Sequence, residues 1–279
     1  MAQTKRDIQA LLAEAGSEPR HRFGQNFMID GNLVRLVADS GMLGPGDLAI
    51  EVGPGTGTLT DELISRAGEV IAVEIDRDLA AMLRERFAQQ DKFSLIQGDA
   101  LAGKHALHLE LLAAINGAKA KGQPCRLVAN LPYNIASPLV IEMLIAGVQT
   151  LTFTVQKEVA DRLRAGGGAD AYGPISVMVQ MLAKVEVLRT LPPQAFWPSP
   201  KIDSALVRLT RADRLGEQAN LFGRFVHQLF SARRKTLRKA MVQAGFDAAA
   251  ALAETSIDGQ RRPEELAPEQ IHALFLACV

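Results

Sequence analysis

Short apolar runs alternate along this chain with segments whose apolar residues recur at helical spacing. The runs cover 48–52, 70–75, 93–96, 126–129 and 151–155, and the periodic segments 59–67, 79–88, 107–115 and 138–146 fall between them. That rhythm predicts a parallel sheet with crossover helices. Two later runs, 185–190 and 205–209, flank a proline-rich stretch and predict a hairpin-like pair that completes seven strands. After about Arg211 the strand signal ends, and 221–230, 236–244, 248–254 and 269–278 all read as helices. The segment 212–218 is polar and contains Gly216, which fits a linker or turn. The expected organisation is an α/β domain over 1–211 and a small all-helical domain over 212–279.

At 279 residues and 48% hydrophobic, the chain can bury a core in both domains. No stretch approaches the roughly 20 apolar residues of a membrane span, and Met1 to Arg20 is polar rather than signal-like, so a cytoplasmic protein away from membranes is expected. Cys125 and Cys278 are far apart and read as small buried hydrophobes, not as a disulfide framework. Gly166, Gly167 and Gly168 read as a flexible surface connection.

The 31 basic and 31 acidic residues cancel, but they are unevenly placed. Arg233, Arg234, Lys235, Arg238 and Lys239 crowd into one short segment without an acid, and Arg20, His21 and Arg22 form a smaller basic group. A neutral protein with a basic face is therefore expected, and the larger cluster is expected to contact nucleic-acid phosphates.

The first predicted strand breaks into Gly53-Pro54-Gly55-Thr56-Gly57 before a helix. In open α/β sheets, ligands bind at the carboxyl ends of the strands, and glycines let them approach the backbone. Thr58 stands where a dinucleotide fingerprint wants its last glycine, and no Lys-Ser or Lys-Thr pair follows for a phosphate loop. The second strand ends near Glu74, where a carboxylate can accept from both hydroxyls of a ribose, whether of NAD or of S-adenosylmethionine. Asp99, after the third strand, can accept from an adenine amino group. Together the loop and the two acids resemble the class I methyltransferase pattern.

Asn130-Leu131-Pro132-Tyr133 at the end of the fourth strand suits one reaction. The exocyclic nitrogen of adenine is a poor nucleophile because its lone pair is delocalised into the ring. Acceptors on its two N–H groups, the Asn130 side-chain oxygen and the Leu131 carbonyl, would favour a pyramidal nitrogen. Pro132 stiffens the turn, and Tyr133 offers a face for a base taken out of its stack. No metal is needed, and His105 and His108 read as surface residues rather than ligands.

With these motifs the sequence resembles the ribosomal RNA adenine dimethyltransferase family, most closely its bacterial small-subunit type. The resemblance runs from Arg22 to about Lys239 through Arg22-Phe23-Gly24-Gln25-Asn26-Phe27, Glu51 to Gly57, Glu74-Ile75-Asp76, Gly98-Asp99-Ala100, Asn130 to Asn134, Gln156 to Val159, Phe196 to Lys201 and Arg233 to Lys239. It implies a Rossmann-like seven-stranded sheet with a helical C-terminal domain that binds RNA. It further implies S-adenosylmethionine as cofactor, touching Asn26, Met28, Gly53, Gly55, Glu74, Asp99 and Asn130. Tyr133 and Phe196 would sandwich the target adenine, and Arg22 would join the basic cluster in holding RNA. The implied substrate is two adjacent adenosines near the 3′ end of small-subunit ribosomal RNA in a partly assembled 30S particle, each dimethylated by a monomeric enzyme.

Four other readings compete, one of them a dinucleotide oxidoreductase, which Thr58 disfavours. A large-subunit adenine methyltransferase shares the catalytic motifs, an N6-adenine DNA methyltransferase more usually has two prolines where this chain has Leu131-Pro132, and a catalytically silent RNA-binding protein would not need the intact tetrapeptide.

Overall fold

The computed structural model describes residues 3–20, 23–103 and 106–279. Among the described residues nine strands form: β1 (Phe27–Met28), β2 (Leu48–Val52), β3 (Glu69–Glu74), β4 (Phe93–Gln97), β5 (Cys125–Asn130), β6 (Thr150–Gln156), β7 (Ala183–Leu191), β8 (Phe196–Trp197) and β9 (Ser204–Arg211). Seven of them form one sheet in the order β4-β3-β2-β5-β6-β9-β7. The five strands from β4 to β6 run parallel, and β9 lies antiparallel to β6 with Gln156 opposite Ser204. The order reverses between β2 and β5, so their carboxyl ends open a crevice, the place where such sheets bind ligands. The late apolar runs are the two strands at the β7 edge, as their pattern predicts.

Helices α2 (Gly31–Ser40), α3 (Thr58–Arg66), α4 (Arg77–Arg86), α5 (Leu109–Ala120) and α6 (Ala136–Ala146) follow α1 (Lys5–Glu14) along the chain. β2 is buried at every position, as a strand covered on both faces must be. One core cluster joins Val34 and Val37 of α2, Leu59 and Leu63 of α3, and Val70 and Val128 of the sheet. Burying each such side chain contributes about 1.5–3 kcal/mol. The short pair β1·β8, which the sequence pattern does not announce, places Met28 opposite Phe196.

The chain falls into two units, and the second differs from expectation. It contains Ala212–Val279 and also Glu158–Val185. The added segment carries most of α7 (Lys157–Arg164) and all of α8 (Pro174–Leu182), which join α9 (Ala219–Ser231), α10 (Leu237–Gln243), α11 (Ala248–Thr255) and α12 (Pro268–Leu276). The reason is apolar burial. α8 buries Val177, Met178, Val179, Met181 and Leu182, more than one helix face, and so needs helices around it. α9 buries Phe222, Phe225, Val226, Leu229 and Phe230 at helical spacing, and its Phe222 and Phe225 meet Phe275 of α12 edge-on at 5.4 and 5.6 Å.

The glycine loop at 166–168 is held more firmly than its composition suggests, because Gly168 N–H donates to the Glu264 carbonyl at 2.8 Å and Gly167 lies against the Leu266 backbone. Cys125 is buried, Cys278 half-buried, and both are free thiols. No described helix is long and apolar enough to cross a membrane.

Candidate active site

Directly after β2 the backbone enters the left-handed region at Gly53 (φ 73°) and Gly55 (φ 60°). A Cβ on Gly53 would lie 3.2 Å from the Pro132 ring, and one on Gly55 would lie 2.9 Å from the Phe27 ring. Only bare backbone fits there, and the loop lines a cavity of about 240 Å³. The loop is fixed from behind by a residue far away in sequence. The Gln3 amide donates to the Thr56 carbonyl at 3.1 Å and accepts from the Thr56 and Thr58 hydroxyls at 2.5 and 2.6 Å. Arg86 adds a bond to the same carbonyl and an ion pair to Asp61.

The cavity is lined by Glu51, Glu74 and Asp99 from three successive strand ends, with Asn26, Asn130 and Tyr133 completing its wall. Glu74 is 3% exposed and accepts from the N–H groups of Asp76 (2.8 Å) and Gly55 (3.3 Å). Burial outweighs those bonds and pushes its carboxyl up to about 7. Glu51 is deeper, with the Thr60 hydroxyl donating at 2.6 Å, and burial raises it to about 8. Asp99 is exposed at the rim, where Oδ1 accepts from Leu101 N–H at 2.9 Å. Glu51 and Glu74 are thus enclosed by the protein, and Asp99 faces solvent at the rim.

Asp76 has a structural task. It caps α4 and accepts from Arg20 (3.0 Å) and Gln25 (3.3 Å), so the segment leading to Asn26 is tied to the tip of β3. Arg20, read in the sequence as part of a basic face, is consumed in bridging Asp76 and Asp78. His21, Arg22 and His105 lie outside the described residues. His108 is half-exposed, and its Nδ1 accepts from Glu110 N–H at 3.3 Å and caps α5.

At the end of β5 the Asn130 amide is held on both sides. Its Nδ2 donates to the Asn26 carbonyl at 2.6 Å, and its Oδ1 accepts from the Thr154 hydroxyl. A carbonyl can only accept, so the Asn26 contact fixes which end of the amide is nitrogen. One lone pair of Oδ1 remains for a ligand. Tyr133 is part-buried, its hydroxyl bonded to that of Ser204 at 2.7 Å. Met28 lines the cavity although its side chain is 5% exposed.

Phe196 departs from the expected stacking position. It is 2% exposed and packs with Met28, Leu33, Val34, Leu191 and Leu206, outside the lining of the cavity. The β1·β8 pairing sets Phe196 opposite Met28, and its side chain is enclosed in that cluster. The neighbouring Trp197 stacks on Phe27 at 6.3 Å.

In the helical unit the basic cluster is partly neutralised. Arg233 pairs with Glu264 at 2.6 Å, an acid 31 residues later that the local sequence gives no reason to expect there. Arg234, Lys235, Arg238 and Lys239 line an open groove with Val242 and Gln243, and Lys235 donates to the Gln243 side chain at 2.6 Å.

Comparison with known proteins identifies the relatives of this geometry. The family described as ribosomal RNA adenine dimethylase matches residues 16–278. The chain is 40% identical over 274 residues to the ribosomal RNA small subunit methyltransferase A of Moorella thermoacetica, covering 95% of this chain and 94% of that one. It is 41% identical over 256 residues to the protein of that name in Hahella chejuensis, covering 90% and 89%. The chain belongs to the ribosomal RNA adenine dimethylase family.

Among solved structures, this dimethylase resembles the 23S rRNA methyltransferase ErmE (27% identity, TM-score 0.65, 91% of this chain and 99% of that one). It shares its fold with a dimethyladenosine transferase from Plasmodium falciparum (22% identity, TM-score 0.71, 90% and 96%). The sheet is therefore that of a class I methyltransferase, and the protein is an rRNA adenine dimethyltransferase by family. Sequence reasoning left several residues of the dimethylase site without a role: Gln3, Glu51, Thr154 and Ser204. Thr154 had a signal, because hydroxyls at Thr150, Thr152 and Thr154 alternate within an otherwise apolar strand and buried hydroxyls need partners. Gln3 and Ser204 had none, since their partners lie 53 and 71 residues away.

Proposed function

We propose that this chain uses S-adenosylmethionine to dimethylate the N6 nitrogens of two adjacent adenosines near the 3′ end of small-subunit ribosomal RNA, acting in the cytoplasm on a partly assembled 30S particle. The observation that carries the reading is one cavity that brings the bare-backbone loop at Gly53 and Gly55, the carboxylates of Glu74 and Asp99 and the tetrapeptide at Asn130 together. The donor set fits the cofactor: Glu74 suits two ribose hydroxyls, Asp99 an adenine amino group, and the glycine backbone a closely approaching chain. Asn26, Met28 and Asn130 would complete the contact. When bound, the cofactor supplies an electrophilic methyl group on its sulfonium.

The remaining work belongs to the chain. The open lone pair of Asn130 Oδ1 and the Leu131 carbonyl accept the two amino hydrogens and turn the nitrogen lone pair out of the ring plane. Tyr133 supplies the stacking face, worth about 1–3 kcal/mol for a base. Holding nucleophile and methyl together removes most of the entropic barrier, so no metal or strong base is required. The groove at Arg234, Lys235, Arg238 and Lys239 binds RNA phosphates. The small-subunit substrate is preferred over the large-subunit one because relatives near 40% identity carry the small-subunit name, whereas the large-subunit enzyme is 27% identical. Mass spectrometry of nucleosides from small-subunit RNA, with and without the gene, tests this directly. Dimethyladenosine lost with the gene and restored by the protein is the expected result, and unchanged modification overturns it.

A further inference from the structure

Two hydroxyls stand behind the tetrapeptide, each bonded to one of its functional side chains. Thr154 of β6 lies beside Asn130 of β5 in the parallel register and donates to Asn130 Oδ1. Ser204, the first residue of β9, bonds the Tyr133 hydroxyl at 2.7 Å. Both are 0% exposed, so neither can touch RNA or cofactor directly. Both are enclosed within the sheet, Thr154 between Asn130 of β5 and the fully buried Leu206 of β9, and Ser204 opposite Gln156 of β6. A hydroxyl in such surroundings costs stability unless it is bonded, and each has its bond to the tetrapeptide.

We infer that Thr154 and Ser204 are positioning residues for methyl transfer, Thr154 locking the Asn130 amide with one oxygen lone pair left open and Ser204 holding the Tyr133 ring at a fixed tilt. The inference rests on the proposed function, since it assigns what these hydroxyls do for that reaction. The physical case for Thr154 is rotational. The Asn26 carbonyl alone ties down only the nitrogen end of the amide and leaves the oxygen free to swing with the side chain. A second bond at the oxygen fixes the amide plane, and with it the direction of the open lone pair. For Ser204 the argument is similar. A ring on a two-torsion side chain can rock about its Cβ, and a bond at its far end removes that motion. The antiparallel insertion of β9 between β6 and β7 brings Ser204 to the spot, so a strand that contributes no residue to the cavity lining holds a side chain that does line it.

The test uses the full-length protein with undermethylated 30S particles, reading turnover, KM for the particle, S-adenosylmethionine affinity by calorimetry and melting temperature. Thr154→Val removes the donor while keeping shape. It is expected to lower turnover by about tenfold with cofactor affinity within about threefold, and Thr154→Ser is expected to restore turnover. If Thr154→Val does not fold, Thr154→Ala with the same readouts decides. Ser204→Ala and Tyr133→Phe each break the same bond, so each is expected to lower turnover severalfold, and the double variant is expected to be no worse than either single one. Normal turnover in Thr154→Val, or multiplying losses in the Ser204→Ala/Tyr133→Phe pair, overturns the inference. Asn130→Ala and Tyr133→Ala run alongside keep the two readings apart. If they abolish methylation while the hydroxyl variants stay normal, only the positioning role fails. If they too stay normal, the proposed function fails.

Discussion

Asn130 Nδ2 donates to the main-chain carbonyl of Asn26 at 2.6 Å, across 104 residues of sequence. The bond joins the segment before β1 to the end of β5 and decides that the oxygen of the Asn130 amide is the end able to accept from a substrate amino group. Asn130→Ala removes that acceptor and also releases the Asn26 carbonyl. Turnover should fall by about a hundredfold or more, the usual cost of a lost transition-state hydrogen bond. Cofactor affinity should fall much less, and single-turnover methylation beside calorimetry separates the two. A variant that methylates at the wild-type rate removes Asn130 from the chemistry.

Glu74 should give cofactor binding a pH dependence. Burial raises its carboxyl from 4.5 to about 7 in the free protein. The ionised form is the better acceptor for two ribose hydroxyls, so binding should draw the proton off. S-adenosylmethionine affinity should therefore weaken as pH falls below about 7 and level off above it. Glu74→Gln should flatten that profile and weaken binding by roughly 1.5–3 kcal/mol at pH 8. Calorimetric titrations from pH 6 to 9 check both, and an unchanged profile in Glu74→Gln would assign the titration to another group, with Glu51 at about 8 the nearest.

Phe196 and Tyr133 should separate cleanly. Phe196→Ala opens a hole in the core beside Met28 and Leu33 and should cost about 3–5 kcal/mol of folding stability, read as a lower urea midpoint. Tyr133→Ala should leave that midpoint nearly unchanged and weaken engagement of the target base, read as fluorescence of 2-aminopurine placed at the target. A Phe196→Ala protein of normal stability that fails to bind the base would return Phe196 to the stacking role its motif implies.

Within the basic cluster, Arg233 and its neighbours should behave differently. Replacing Arg234 and Lys235 by Gln should weaken RNA binding and lower its salt slope by somewhat under one unit per lost phosphate contact. Arg233→Gln should change the slope less, because Glu264 already holds that guanidinium. Filter binding of an RNA fragment across a salt series measures all three, and equal slopes for the double variant and the wild type would make the groove an ordinary solvated surface.

The alternation of apolar runs and helical periods was enough to place the seven strands of the sheet and the glycine loop at the end of β2. Such patterns are local: a strand buried on both faces must be apolar throughout, and a left-handed turn tight against Pro132 and Phe27 must be glycine. The tetrapeptide was equally legible, since its chemistry needs four adjacent residue types. What the chain could not show in one dimension is which side chains meet. Phe196 belongs to the motif expected to stack on the base, yet its side chain is enclosed in the core cluster with Met28 and Leu33. Arg233 lies in a run without acids, yet the fold brings Glu264 to it. The helices at 157–164 and 174–182 precede the last strands but belong to the helical unit, because their apolar surface is buried there. Gln3, Thr154 and Ser204 gain meaning only from partners on other elements. A hydrogen bond depends on distance in space, and sequence separation carries no information about it until the sheet has set the register.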